Sequence, residues 1–263
     1  MLLKNKTAVV YGGGGAIGGA AAKAFARDGA RVFLGGRTRS RMEAVAAEIR
    51  AEGGFAEIAI LDALDELAVE RHADAVAQKA GGIDIALNAV GIAHVQGTPL
   101  AELSLADFET PVAAYTRSNF LTAKAVARHM QGRGVILTLS TPGARMSGVG
   151  FLGNGVASAA VEAMSRILAG ELGARGIRVI CLRPDAIPES LEISHARAAF
   201  EGFAKRAGMP VDDMLAARAA SGPLLRRFPT LAQIGDFAAF VASDRAGAMT
   251  GAIANLSCGT LVD

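Results

Sequence analysis

Four consecutive glycines, at positions 12–15, separate an apolar run ending at Tyr11 from a helical pattern that begins near Ala16. Among them Gly13, Gly15 and Gly18 fit the spacing G-x-G-x-x-G. Between a strand and a helix, that spacing lets the backbone turn tightly and approach a pyrophosphate, while the helix start offers free N–H groups and positive potential. A turn without a ligand has little use for four glycines, each of which costs chain entropy. Gly12, Ala16 and Ile17 belong to the same expected cradle. About 20 residues on, an NAD site presents an acidic residue to the ribose 2′-hydroxyl. Here Gly36 leaves that position empty, and Arg37, Thr38 and Arg39 follow. An arginine there grips a 2′-phosphate through a charge-assisted fork, so NADP(H) is favoured over NAD(H). The alternative reading of these arginines is a solvated basic loop.

The elements that must hold such a cradle are visible in the hydrophobic pattern. Short apolar runs at 8–11, 32–34, 56–61, 83–87, 135–139, 177–182 and 253–256 are each bounded by Gly, charge or a turn signal, as buried strands are. Helical stripes lie between them. Met42, Val45, Ala46 and Ile49 make one, Leu67, Ala73 and Val76 another, and Val161, Met164, Leu168 and Leu172 a third on a helix from about 155 to 172. A further long helix is expected over about 105–130. Alternating β and α with near-continuous apolar strands implies a single-domain, Rossmann-type α/β fold: a doubly wound sheet of about seven parallel strands with helices on both faces. It uses residues 1–263 as one domain. The rhythm stalls at 189–221, between the sixth and seventh strands, where a polar, Ala-rich segment reads as a lid or substrate loop.

Composition sets outer limits. Hydrophobic residues are 51% and charged ones 20% of the chain, which excludes a disordered protein. A net charge of +2 gives no footprint for nucleic acid. No uncharged run reaches the roughly 18 residues of a membrane span, and no secretory leader is visible, so a cytoplasmic protein is expected. Cys181 and Cys258 read as free thiols, and His72, His94, His129 and His195 are too dispersed for a metal site.

Taken together, these landmarks resemble the short-chain dehydrogenase/reductase family over essentially the full chain. YGGGGAIG resembles the family's T-G-x-x-x-G-x-G, with Tyr11 for Thr and Ala16 for the middle glycine. Asp62 matches the Asp that meets the adenine. The stretch DIALNAVGI resembles D-x-x-x-N-N-A-G, keeping Asn88 and Gly91 but carrying Ala89 for the second Asn. RPDAIP resembles the Pro-Gly segment after the sixth strand, with Pro184 kept and Asp185 in place of Gly.

The resemblance implies four catalytic positions, and most are substituted. Family members use a Tyr as proton donor, a Lys four residues on that lowers its pKa, a Ser that orients the substrate oxygen, and an Asn that holds a relay water. Those positions fall here on Asn154, Ser158, Thr141 and Tyr115 respectively. Thr141 keeps a hydroxyl, whereas neither Asn154 nor Ser158 titrates near pH 7. Tyr115 is then either a substitute acid or a filler of the space left by Lys and water. His94 is a second candidate donor or an exposed loop residue, Arg145 holds an anionic substrate or is solvated, and Asp185 acts as a base or caps a turn. Two functions stay open: an atypical NADP(H)-dependent oxidoreductase acting on a carbonyl, imine or activated alkene, and a non-catalytic NADP(H)-binding homologue. Loss of the nucleotide altogether, leaving a scaffold, is a third. Pairing through the two long helices is expected to give a homodimer or homotetramer.

Overall fold

The computed structural model describes residues 1–262. Seven strands, β1 (Thr7–Tyr11), β2 (Arg31–Gly36), β3 (Phe55–Ile60), β4 (Ile85–Asn88), β5 (Gly134–Leu139), β6 (Ile177–Pro184) and β7 (Ile253–Leu256), form one sheet in the order β3-β2-β1-β4-β5-β6-β7. Every pairing is parallel. The strands sort their side chains with a period of two. Val10, Leu34, Leu87, Leu137 and Leu182 enter a core on one face, with α1 (Ala16–Arg27), α2 (Arg39–Ala51) and α8 (Leu231–Ala242). Val9, Phe33, Ala86, Ile136 and Val179 enter the other, with α3 (Glu66–Ala80), α4 (Leu105–Ala127) and α5 (Leu152–Gly173).

Several expected boundaries moved by one to three residues, and three of the shifts have a visible cause. The fourth strand starts at Ile85 rather than 83, because Asp84 turns its carboxylate to Thr7 N (2.8 Å). Helix α4 stops at Ala127, ahead of a turn in which Gly132 takes a φ of 70°. Helix α5 begins at Leu152, three residues early, where Gly153 lies close against Pro111 of α4; a Cβ there would stand 3.1 Å from the proline ring.

Side chains cap the starts of α3, α4 and α8. Asp65 and Ser104 cap α3 and α4 by accepting from Ala68 N and Asp107 N, and Thr230 and Gln233 form a reciprocal box at α8. Helix α1 has no capping side chain and no acid in its first turn. It follows β1 at the point where the sheet order reverses, with β2 on one side and β4 on the other, which is where a doubly wound sheet opens its crevice.

Between β6 and α8 the chain forms α6 (Ala196–Ala207) and α7 (Val211–Ser221). Their apolar side chains Ala204, Val211 and Leu215 close on Ala186, Leu191 and Phe228 as a small cluster of their own.

Candidate active site

A cleft of about 370 Å³ runs over the carboxyl ends of the strands. Its first wall is made of backbone. Gly12, Gly14, Gly15, Ala16 and Ile17 line it, and Gly12 has a φ of 77°. A Cβ on Gly12 would stand 2.3 Å from Ala89 O, so a side chain meets both torsional strain and a fixed carbonyl. Gly13 and Gly18 are not among the lining residues. Gly13 lies against the Leu34 side chain, and a Cβ on Gly18 would stand 2.3 Å from Gly12 O, so both serve packing beneath the turn. With α1 uncapped above them, these residues fit the phosphates of a dinucleotide.

Arg37 and Thr38 in the turn after β2 and Arg41 in the first turn of α2 also line the cleft, and Arg37 is exposed there. Asp62 also lines the cleft, its Oδ1 accepting from Leu64 N at 3.0 Å. Asn88 donates to Thr122 Oγ1 (3.0 Å) and accepts from Val90 N (3.1 Å), which fixes the strand end that carries Gly91. Pro184 closes the far side.

The second wall is made of side chains. Asn154 Nδ2 donates to Thr141 Oγ1 at 3.2 Å, and Thr141 Oγ1 lies 3.0 Å from Ser158 Oγ. The three positions derived from the family pattern therefore meet as a triangle, and all three line the cleft. One turn further along α5, buried Glu162 accepts from Ser140 Oγ (2.9 Å) and from Arg183 (3.2 Å), pinning the helix to β5 and β6. Removing one partner of such a buried pair strands a charge, at a cost of roughly 3–5 kcal/mol.

Tyr115 reaches this wall from α4. Burial pushes its phenol up to about 12, and its hydroxyl lies 3.5 Å from His94 Nδ1. His94 is not the exposed loop residue envisaged as one alternative from the sequence. It is half-buried in the cleft, with Nδ1 2.9 Å from Ile92 O and Nε2 2.9 Å from Gln96 Nε2. Those partners place the ring proton on Nδ1, and burial lowers its pKa, so the imidazole is neutral. Arg145 is exposed and outside the lining residues. Asp185 resolves in favour of the turn: its Oδ1 accepts from Ala186 N (2.7 Å) and from Arg218 of α7 (2.6 Å), and Thr260 donates to its other oxygen.

Besides Arg41 and Gln96, two further cleft residues were not singled out in the sequence. Asn119, buried on α4, donates to Tyr115 O at 2.9 Å, lines the cleft, and has no hydrogen-bond partner at Oδ1 among the described residues. An amide one helical turn beyond Tyr115 was its only visible signal. His195, at the start of α6, lines the cleft as well, with Ser190, Ser194, Ala199 and Phe200. The segment is held by glycine contacts. A Cβ at Gly202 would lie 1.9 Å from Gln96 O, and one at Gly97 would lie 2.3 Å from Gly202 C.

The family model for enoyl-(acyl carrier protein) reductases matches residues 14–260. D-threitol dehydrogenase of Mycolicibacterium smegmatis is 32% identical over 252 residues, covering 95% of this chain and 90% of its own. A short-chain dehydrogenase from Burkholderia cenocepacia, solved in complex with NADP, superposes with a TM-score of 0.84 at 28% identity, over 99% of both chains. An NAD⁺-bound xylitol dehydrogenase superposes at 0.90 over 98% of this chain and all of its own; at 24% identity that likeness bears on the fold alone.

Proposed function

The chain belongs to the short-chain dehydrogenase/reductase family, and from that premise we propose that it is an NADP(H)-dependent oxidoreductase working without the family's Tyr–Lys proton relay. The observation that carries this reading is that one cleft holds both halves of the chemistry: the glycine cradle with Arg37 and Arg41, and the triangle of Thr141, Asn154 and Ser158. Bound in the cradle, NADPH would supply the hydride. The residues of this chain hold the substrate. With Asn154 donating to Thr141, and Ser158 able to donate to it as well, the Thr141 hydroxyl proton is free to meet a substrate oxygen or nitrogen. A hydrogen bond to an atom gaining negative charge contributes about 1.5–3 kcal/mol.

Hydroxyls and amides do not ionise near neutrality, so the triangle orients and polarises but cannot deliver a proton to solvent equilibrium. Tyr115, with its phenol near 12, keeps its proton, and neutral His94 is engaged on both nitrogens. The proton then comes from water or from the substrate itself. A carbonyl, imine or activated alkene suits such a site, and the latter two demand less of an acid. The protein is read as cytoplasmic. Exposed Phe120 on α4 and Val156 and Ile167 on α5 support self-association as a dimer or tetramer.

A second reading has its own observation: the triangle's members already satisfy one another, as they would in a protein that binds NADP(H) without turning it over. Titration calorimetry with NADPH and NADH, followed by NADPH consumption against carbonyls, imines and enones, separates the two. Micromolar NADPH binding with turnover establishes the enzyme; binding with no turnover establishes the second reading. Binding of neither nucleotide defeats both.

A further inference from the structure

His195 stands at the start of α6 in the same cleft as Gly12, Gly14, Gly15, Ala16 and Ile17. Its imidazole rests against Gly91: a Cβ on that glycine would stand 2.6 Å from His195 Cε1. The groups that face it are basic. Arg37 follows β2, Arg41 lies in α2 and His94 in the loop after β4, and burial together with these neighbours lowers the His195 pKa. Two carboxylates line the cleft among the described residues, Asp62 with its hydrogen bond to Leu64 N and Asp185 held by Arg218. On its own segment Arg197 is paired with Glu192 and Asp212. No carboxylate pairs with His195 among the described residues. An imidazole facing two guanidinium cations, without a counter-charge, gains little in the free protein and much when an anion enters.

Resting on the NADP(H) reading above, we infer that His195 is a phosphate ligand carried by the 189–221 segment: it meets a phosphoryl oxygen of the bound nucleotide and takes up a proton from solvent as it does so. Free His195 has the lower pKa and complexed His195 the higher, because an anion at hydrogen-bond distance favours the charged form. The complex therefore holds more protons than its parts, and affinity rises as pH falls between the two values, by up to about tenfold per pH unit. The contact also ties α6 to the cofactor, so that nucleotide charge helps seat the segment over the substrate end of the cleft.

The experiment is calorimetric titration of the full chain and His195→Asn with NADPH from pH 6 to 8, in two buffers of different ionisation enthalpy. The 2′-phosphate has its own second pKa of about 6, so the informative quantity is the difference in proton uptake between the two proteins. Wild type is expected to take up more protons than His195→Asn and to bind at least about threefold tighter at pH 6, the gap narrowing towards pH 8. Repeating the series with NADH, which lacks the 2′-phosphate, tells which phosphate is met. A gap that persists with NADH assigns the pyrophosphate, and one that vanishes assigns the 2′-phosphate. Equal uptake and equal pH dependence in both proteins overturns the inference, as does uptake lost in His94→Asn instead. These failures leave NADPH binding intact. Failure of the underlying reading looks different: NADPH binds neither protein at any pH although both melt normally.

Discussion

The wall of the cleft built on β1, α1 and β2 acts through its backbone, whereas the wall built on β5 and α5 acts through side chains. On the first, Gly12 and Gly18 have neighbouring carbonyls where a Cβ would go, and the helix above them is left uncapped. Hardly any other residue type fits, so the wall's shape and its function stand or fall together. On the second, Thr141, Asn154 and Ser158 make a connected triangle, yet none of the three titrates near neutrality. That wall keeps its geometry while its acid–base chemistry changes, because buried polar residues of different type can satisfy one another without disturbing the strands beneath. A dinucleotide site is thus harder to lose quietly than a proton relay.

The sharpest way to break this comparison is Gly12→Ala. Positive φ and a Cβ 2.3 Å from Ala89 O are expected to cost about 3 kcal/mol or more of stability, read by urea unfolding, with NADPH binding reduced beyond detection. A variant of near-native stability that still binds NADPH would mean that the turn relaxes freely and the backbone wall is no more constrained than the other.

Beneath the same wall, Tyr11 and His72 pack edge to face, and among the described residues neither Tyr11 OH nor His72 Nδ1 has a hydrogen-bond partner. Burial holds His72 at about 4, against 6.5 in the unfolded chain. The folded state therefore refuses a proton that the unfolded state accepts, so this contribution to stability is present above pH 6.5 and is lost as pH falls towards 4. The upper limit is about 3 kcal/mol, at 1.36 kcal/mol per pH unit. Unfolding free energies at pH 7 and pH 5 should show the loss in wild type and a flatter profile in His72→Leu. Identical slopes would remove His72 from the account.

Specificity for the nucleotide is the next effect in size. Arg37→Ala is expected to weaken NADPH by about 10- to 100-fold, the range of one or two hydrogen bonds to a charged group, and to leave NADH nearly unchanged. Equal losses for the two nucleotides would show that Arg37 serves the fold or the pyrophosphate rather than the 2′-phosphate.

What could be read from the sequence follows the same division. Strands, helices and the glycine turn were legible because apolar period and the absence of a Cβ are properties of residue type and spacing. The triangle's membership was legible too, through the thirteen- and four-residue offsets of a family pattern. Partners were not. Asp185 looked like a candidate base until Arg218, Thr260 and Ala186 N took up its oxygens, two of them from segments more than thirty residues away. His94 could be read as a donor or as an exposed loop residue, and His195 looked unattached, because their places in the cleft depend on how the loop after β4 and the segment after β6 fold over the sheet. Such contacts join distant positions with no periodicity to announce them.

Asn154→Ala tests the side-chain wall and carries the smallest expected effect. It removes a neutral hydrogen bond to Thr141 that contributes about 1 kcal/mol, so turnover of any substrate found by NADPH consumption should fall by no more than about fivefold. The pH–rate profile adds a second constraint. His94 titrates below its ordinary 6.5 and Tyr115 near 12, so no group of the second wall changes charge between about 7.5 and 10. The rate at saturating NADPH should be level across that interval in wild type and variant alike. A loss of several hundredfold, or an inflection near pH 8–9 that the variant abolishes, would mean that Asn154 controls a group which does titrate. The difference between the two walls would then lie in which residues carry the proton, and no longer in whether the protein carries it at all.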